Sequence, residues 1–266
     1  MKQGTVGVLA LTLSGAVLAQ SGAPTVSICA DPDPPPSIYW VRDAQRQKTS
    51  TLTGFGVDLL NEAFGRIGLR VRWVAYPWAR CLREAEEGRI DFAYGAYYSA
   101  ERALRLAYSV PLRALTPQVF YLRSRPLAVR SKADLKQHTG CGLTGASYAH
   151  YGLAPEALDL GVNTYSKLVA KLKAGRCDFF VEELEVIQRL KDVGQDLVAE
   201  ADLAHAPVPD AEPPTAHLVA GKGRPAAQRM PEVDAQLRRL IRSGEAARFW
   251  KRHSSTEPYK TVDARP

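Results

Sequence analysis

The sequence predicts an α/β fold made of two similar units, each with a mainly parallel sheet flanked by helices. Residues 54–111 alternate between helical and strand patterns, and this alternation is typical of a parallel sheet. The segment GRIDF at 88–92 recurs as GRCDF at 175–179, and each copy follows an amphipathic helix and leads into an apolar strand. With 266 residues, the chain is long enough for two compact units.

Apolar spacing and glycines define the elements of the first unit. Apolar residues recur at helical spacing over 57–67, and Gly68 favours the left-handed conformation that ends a helix. Apolar and basic residues then alternate over 69–73, which predicts a strand. Pro77 is suited to start the next helix, and a mostly apolar strand follows at 90–94.

The second unit has a similar pattern. Residues 140–144 predict a strand, and the apolar stripe at 168–172 predicts a helix. Residues 205–214 are polar and rich in proline, so they predict a loop. A strand at 217–220 and two helices separated by Gly244 follow.

Charge and apolar content limit the class of protein. The 35 basic and 28 acidic residues give a net charge of +7 without a basic run, so we expect no nucleic-acid partner. Residues 1–19 carry Lys2 and an apolar stretch that ends in Val-Leu-Ala, which is typical of a signal peptide. The stretch is shorter than the ~20 apolar residues of a membrane span. We therefore expect a soluble mature protein outside the cytoplasm.

The four cysteines predict two disulfide bonds, because even numbers in exported proteins usually pair. Three pairings are possible. We favour Cys29–Cys81 and Cys141–Cys177, since each bond then lies within one unit. The spacings of the cysteines and of the five histidines fit no metal site, so we expect neither metal nor cofactor.

A tyrosine-rich loop after the strand at 90–94 ends in the sequence Ser99-Ala100-Glu101-Arg102. Open α/β sheets bind ligands just beyond the carboxyl ends of their strands. Arg102 is therefore a candidate for binding a small anion.

The chain resembles the type 2 periplasmic solute-binding proteins, in the polar amino-acid-binding branch that supplies ABC importers. The matching stretches are GFGVDLLNEAFGRIGL, LREAEEGRIDFAYGAYYSAER, YSVP, GRCDFFVEE and LRRLIRSGEAARFWKRH. The resemblance implies a two-lobed, periplasmic-binding-protein-like type II fold with two hinge crossovers. Lobe 1 would comprise 24–112 plus 218–253, lobe 2 would comprise 117–212, and 254–266 would be a flexible tail.

By this resemblance, Arg102 would bind a ligand carboxylate through a bidentate pair, for which guanidinium geometry is suited. Ser99, the Gly95 backbone and Tyr97 would complete the pocket. Many relatives have a small hydroxyl residue at the position of Tyr97, so the tyrosine would narrow the pocket. The alternative role for Arg102 is that of a surface arginine on a helix.

In lobe 2, the resemblance implies that an acidic residue holds a ligand α-amino group. Glu183 matches best, with Glu182 beside it, and a solvated helix start is the alternative for both. The turn at 144–147, which includes Ser147, would bind an anion through backbone N–H groups if it begins a helix. A plain capping turn is the alternative.

Aromatic residues are candidates for the wall of the cleft. Tyr39 follows a triple-proline loop where the family places a ligand-stacking ring, and Trp78 precedes a helix at another cleft-lining position. Such rings stack on planar groups or hold cations. Trp40 and Tyr76 are further candidates. Ordinary core packing is the alternative for all four rings.

The resemblance implies a monomeric periplasmic protein that is not an enzyme. It would capture a small carboxylate-bearing ligand, an amino acid or a related compound, by hinge closure, and deliver it to a membrane ABC permease. Two alternatives stay open. One is an enzyme similar to exported cyclohexadienyl dehydratases, with Glu182 or Glu183 as general acid. The other is a ligand-sensing accessory protein with a different membrane partner.

Overall fold

A computed structural model describes residue 1 and residues 23–32, 35–200, 202–254 and 258–261. The predicted signal peptide at 1–19 lies, apart from Met1, outside the described residues.

The described elements alternate along the chain much as the sequence predicts. The strands are β1 (Thr25–Ala30), β2 (Tyr39–Arg42), β3 (Lys48–Thr53), β4 (Arg70–Ala75), β5 (Phe92–Tyr97), β6 (Leu106–Tyr108), β7 (Arg113–Ala114), β8 (Pro117–Leu122), β9 (Gly140–Leu143), β10 (Leu158–Val162), β11 (Phe179–Glu183), β12 (Leu203–Pro207) and β13 (Thr215–Gly221). The α-helices are α1 (Phe55–Gly65), α2 (Trp78–Glu86), α3 (Ala100–Arg105), α4 (Lys132–Leu135), α5 (Tyr165–Lys173), α6 (Leu184–Arg189), α7 (Leu197–Glu200), α8 (Pro225–Gln228), α9 (Met230–Arg242) and α10 (Glu245–His253).

Two mixed sheets form the centres of the two lobes. The first has the order β4-β1-β5-β13-β6, with β7 paired to β13, and the second has the order β10-β9-β11-β8-β12. β1 runs parallel to β4 and β5, and β9 runs parallel to β10 and β11. β13 and β8 run antiparallel to β5 and β11. The prediction of mainly parallel sheets is therefore wrong for about half of each sheet.

The crossovers between the lobes explain the antiparallel strands. The chain leaves the first sheet after β7 and returns to it after β12. β8 and β13 thus begin at the edge between the lobes, where β11 and β5 end: Pro117 pairs with Glu183, and Ala216 pairs with Tyr97. The two crossovers confirm the two-lobed type II fold.

The order of the strands in the two sheets is the basis for placing the lobe boundaries. We propose that lobe 1 comprises 24–112 plus 218–253 and that lobe 2 comprises 117–212. β7 and the first residues of β13, at 215–217, extend the first sheet into the crossovers.

Adjacent strand residues face opposite apolar layers, as the two-residue period of a strand requires. In β1, Ile28 packs in the cluster formed with α1, α9 and α10, whereas Cys29 packs in the cluster formed with α2. In β11, Phe180 lies in the layer with α5 and Phe179 lies in the layer with Tyr151. Each sheet is thus covered on both faces, which fixes the strand ends at the lobe boundary.

Both disulfide bonds have the favoured pairing. Cys29 in β1 bonds to Cys81 in α2, with Cα atoms 5.4 Å apart. Cys141 in β9 bonds to Cys177 just before β11, with Cα atoms 5.7 Å apart. Each bond therefore joins a helical layer or turn to the sheet of its own lobe.

Residues 258–261, within the predicted flexible tail, lie against the fold. The ring of Tyr259 packs 5.3 Å from the ring of Phe55, and its hydroxyl donates to the Leu112 carbonyl. Lys260 Nζ donates to Thr116 Oγ1 at 2.6 Å and to Glu185 Oε1 at 2.9 Å. An aromatic ring and a charged group thus attach this part of the tail to the fold.

Candidate functional site

Five of the candidate residues come together where β5 and β11 end at the lobe boundary. Tyr97 is the last residue of β5, and Ser99 and Arg102 begin α3 just beyond it. Glu182 and Glu183 end β11 in lobe 2.

Arg102 is a buried cation at this boundary. The Ser99 side chain accepts a hydrogen bond from the Arg102 amide at 3.2 Å and so caps α3. The Arg102 side chain, 9% exposed, donates through Nη1 to the Tyr97 carbonyl at 3.3 Å. Nη2 donates to the Gly145 carbonyl of lobe 2 at 2.7 Å. Burial lowers the pKa of Arg102, but a guanidinium stays charged at neutral pH.

Glu183 faces Tyr97 across the boundary and is 1% exposed. Its Oε2 atom accepts a hydrogen bond from the Tyr97 hydroxyl at 2.6 Å. Its Oε1 atom accepts from the Tyr151 hydroxyl at 3.4 Å and lies 3.0 Å from His150 Nε2. The Tyr97–Glu183 bond therefore joins the two lobes directly.

Glu182 points into a separate group of donors. It accepts from the Tyr165 hydroxyl at 2.7 Å and from the Glu183 amide at 3.0 Å. Burial, followed by the neighbouring Glu183 carboxylate, raises the pKa of Glu182 well above its ordinary value. Glu182 therefore takes up a proton more readily than an exposed glutamate does.

The turn at 144–147 contributes an acceptor to the boundary. The Gly145 carbonyl binds Arg102, whereas the sequence predicts that N–H groups of this turn bind an anion. The turn leads only into a three-residue 3₁₀ segment, Ala149–Tyr151, so it lacks the N–H array of a long helix. Ser147 is half-buried in the turn, and Gly95 lies in β5 with a φ of 104°.

The described hydrogen bonds of Tyr39 and Trp78 involve neither Arg102 nor Glu183. The Tyr39 hydroxyl is 3.1 Å from His253 Nδ1, and its ring packs against the apolar cluster of lobe 2 that contains Phe180. The Trp78 amide donates to Asp31 at 2.9 Å, and its ring packs against the cluster that contains the Cys29–Cys81 bond. Tyr39 thus supports the lobe boundary at another place, and Trp78 supports the layer under α2.

Sequence reasoning missed the aromatic and histidine partners of the glutamates. They are His150, Tyr151 and Tyr165. The only local sequence signal is the string Tyr-Ala-His-Tyr at 148–151, directly after the 144–147 turn, which places polar aromatic groups beside a candidate loop.

The described residues contain neither a cluster of metal ligands nor a membrane-spanning helix. No group of three or more His, Cys, Asp or Glu residues in this part of the chain is arranged to hold a metal ion. No helix among the same residues has the length and apolar content needed to cross a membrane.

Comparison with known families matches residues 26–254 to the bacterial extracellular solute-binding proteins, family 3. The chain belongs to this family. The match confirms the resemblance that the sequence motifs indicate. None of the curated protein sequences compared with this family 3 protein gives a significant match.

Solved structures similar to this family 3 protein share its fold at low sequence identity. The substrate-binding protein of an amino acid ABC transporter has 18% identity and a TM-score of 0.68, with 87% of this chain and 100% of that chain covered. The arginine-, lysine-, histidine-binding protein ArtJ from Geobacillus stearothermophilus has 18% identity and a TM-score of 0.69, with 88% and 96% covered. A histidine kinase sensor domain has 20% identity and a TM-score of 0.65, with 87% and 96% covered. These likenesses show the fold.

Proposed function

We propose that this family 3 solute-binding protein captures a small carboxylate-bearing ligand, an amino acid or a related compound, by hinge closure. Arg102 carries the proposal, because it places a buried guanidinium at the lobe boundary. Its described side-chain bonds use one N–H of Nη1 and one of Nη2, and a guanidinium has five N–H donors. The remaining donors suit a carboxylate, which guanidinium groups bind in a planar, bidentate manner.

In the proposed cycle, the ligand first docks on lobe 1 against Arg102 and Ser99 while the lobes are apart. Lobe 2 then closes over it, and closure is favoured by contacts made only in the closed form. The bonds from Tyr97 to Glu183 and from Arg102 to Gly145 are contacts of this kind, because each joins the two lobes. When the protein opens, both bonds break and the lobes rotate relative to each other about the crossovers.

The family suggests where the protein acts and which partner it has. We propose that residues 1–19 direct export to the periplasm, where the mature protein acts as a monomer and delivers its ligand to a membrane ABC permease. The family consists of extracellular solute-binding proteins, and one similar structure is the substrate-binding protein of an amino acid ABC transporter. We also propose that the ligand is released unchanged, as binding for transport requires.

Calorimetric titration with the common amino acids and small carboxylic acids tests the proposal. We expect at least one of them to bind, and Arg102→Ala to weaken that binding about 100-fold or more, because each charge-assisted hydrogen bond contributes roughly 1.5–3 kcal/mol. Arg105→Ala is the matched control. Arg105 lies on the same helix, has a side chain 54% exposed, and pairs with Glu86 and Glu101 on the surface. The proposal is wrong if no compound binds or if Arg102→Ala binds as tightly as the wild type.

A further inference from the structure

The Glu183 carboxylate already has partners from the protein on both of its oxygens. Oε2 accepts from Tyr97 at 2.6 Å, and Oε1 accepts from Tyr151 and lies within hydrogen-bond distance of His150. A separation of 2.6 Å leaves no space for another atom between the Tyr97 hydroxyl and Oε2. A carboxylate oxygen can accept a second hydrogen bond, but the Glu183 side chain is only 1% exposed, so a cationic group of a ligand reaches it only if one of these partners moves away.

Tyr97 is held in place by its own lobe. Its carbonyl accepts hydrogen bonds from Arg102 Nη1 at 3.3 Å and from the Tyr108 hydroxyl at 3.2 Å. On the lobe 2 side, the ring of His150 lies nearly perpendicular to the Tyr97 ring, with centroids 6.0 Å apart. Burial and the Glu183 charge raise the pKa of Tyr97 well above its ordinary value, so its hydroxyl remains a donor across the physiological range.

The charges around this bond favour an anion. Burial and the neighbouring Glu183 raise the pKa of Glu182, which disfavours a second negative charge beside Glu183. Arg102 supplies one positive charge, and the buried Arg113 of β7 supplies another that acts on Tyr97. The two buried guanidinium groups favour an anionic ligand. An α-amino acid with a neutral side chain has no net charge.

We infer that this site selects small carboxylic acids without an α-amino group, because the Tyr97 hydroxyl takes the Glu183 acceptor that an α-ammonium group needs. The inference rests on the proposed function and narrows its ligand class to plain, 2-oxo or 2-hydroxy acids. Arg102 binds the carboxylate, and Tyr97 determines specificity by supplying the donor that an amino acid would otherwise bring.

Calorimetry with pairs of acids that differ only in the α-amino group tests this inference. Suitable pairs are L-glutamate with glutarate, L-phenylalanine with 3-phenylpropionate, and L-leucine with 4-methylpentanoate. We expect the acid without the amino group to bind at least tenfold more tightly in each pair that binds. Equal or tighter binding of the amino acids, lost in Arg102→Ala, overturns this inference and leaves the proposed function intact. Absence of binding by every compound overturns both.

Two variants of Tyr97 test its role. Tyr97→Phe removes the donor and keeps the ring, and we expect the preference for the amino-free acid to fall at least tenfold. Tyr97→Ser also opens space, so we expect a further fall, with circular dichroism to verify that each variant is folded. Tyr98→Phe is the matched control, since this neighbouring tyrosine is 56% exposed and its ring packs on Tyr108. An unchanged preference in both folded Tyr97 variants contradicts the inference.

Discussion

His150 lies 3.0 Å from Glu183 through its Nε2 atom, and its side chain is 9% exposed. The nearby Glu182 carboxylate favours the charged imidazolium, whereas burial disfavours it. Burial is the stronger effect and lowers the pKa of His150 to about 4. The neutral ring then binds Glu183 with Nε2 as the N–H donor, because a carboxylate only accepts.

This protonation state predicts how stability depends on pH. The folded His150 has a pKa of about 4 and an ordinary value of 6.5, so the unfolded chain binds more protons between these values. The contribution of His150 to the free energy of unfolding is therefore fully present above pH 6.5. It falls by about 3 kcal/mol as the pH falls towards 4. Urea unfolding from pH 4 to pH 7.5 measures this loss.

His150→Gln is the control, because its amide keeps a donor but does not titrate. Glu182 contributes with the opposite sign: its raised pKa gives stability that is present at low pH and lost as the pH rises. The difference between the free energies of unfolding of the wild type and the variant at each pH therefore isolates the contribution of His150. Parallel pH profiles for the two proteins contradict the prediction.

At the scale of the elements, local sequence signals predicted the helices that begin and end at characteristic residues. The helix prediction over 57–67 corresponds to α1, and Gly68 adopts a φ of 75° just beyond it. The helix expected after Pro77 is α2, and Gly88 follows it with a φ of 76°. Both predictions depend only on neighbours within a few residues, which is why the sequence alone sufficed.

Elements that depend on distant partners were not predictable in this way. Residues 205–214 predict a loop because of their prolines, yet β12 extends to Pro207. Among the described strands, β12 lies at the edge of its sheet and pairs with β8 alone, and an edge tolerates proline. The partners of Glu183 also come from elsewhere in the chain: Tyr97 is 86 residues away and His150 is 33 residues away. No periodic pattern records such contacts.

The disulfide bonds give a prediction for the two lobes. The double variant Cys141→Ala/Cys177→Ala removes a link across a separation of 36 residues, and we expect a loss of about 4 kcal/mol on the chain-entropy model. The loss should fall on lobe 2, where the bond joins β9 to the start of β11. Hydrogen exchange measured by mass spectrometry should show faster exchange in β9 and β11 and unchanged exchange in α1 and β1.

Cys29→Ala/Cys81→Ala is the matched control for this experiment. Its bond closes a separation of 52 residues within lobe 1. Exchange should therefore become faster in α1 and β1 and stay unchanged in β9 and β11. Equal loss of protection in both lobes for either variant would show that the lobes unfold as one unit.

At the scale of the whole molecule, the lobes meet closely at Gly145. A Cβ atom at this position would lie 2.8 Å from the Cβ atom of Ala79, at the start of α2 in lobe 1. That distance is shorter than van der Waals contact allows. Glycine at 145 therefore permits both the approach of the lobes and the Arg102 bond to its carbonyl.

Gly145→Ala should consequently hinder closure. We expect a larger radius of gyration than that of the wild type in small-angle X-ray scattering at saturating ligand, together with weaker binding. Gly161→Ala is the matched control, because Gly161 also has positive φ, but among the described residues no atom other than those of its chain neighbours lies within 4 Å of its Cβ position. Both variants should lose about 1–3 kcal/mol of stability through backbone strain. Identical scattering from the two variants would mean that Gly145 does not limit closure.

The segment at 258–261 gives the hinge a support that is separate from the cleft. Lys260 binds Thr116 in the first crossover and Glu185 in α6, and its carbonyl accepts from the Ala114 amide. In the proposed closure, the same hinge moves whatever ligand occupies the cleft. Substitutions in this segment are therefore expected to multiply every dissociation constant by one common factor and to leave the ranking of ligands unchanged. Mutation here should change how tightly the protein binds without changing which compound it binds.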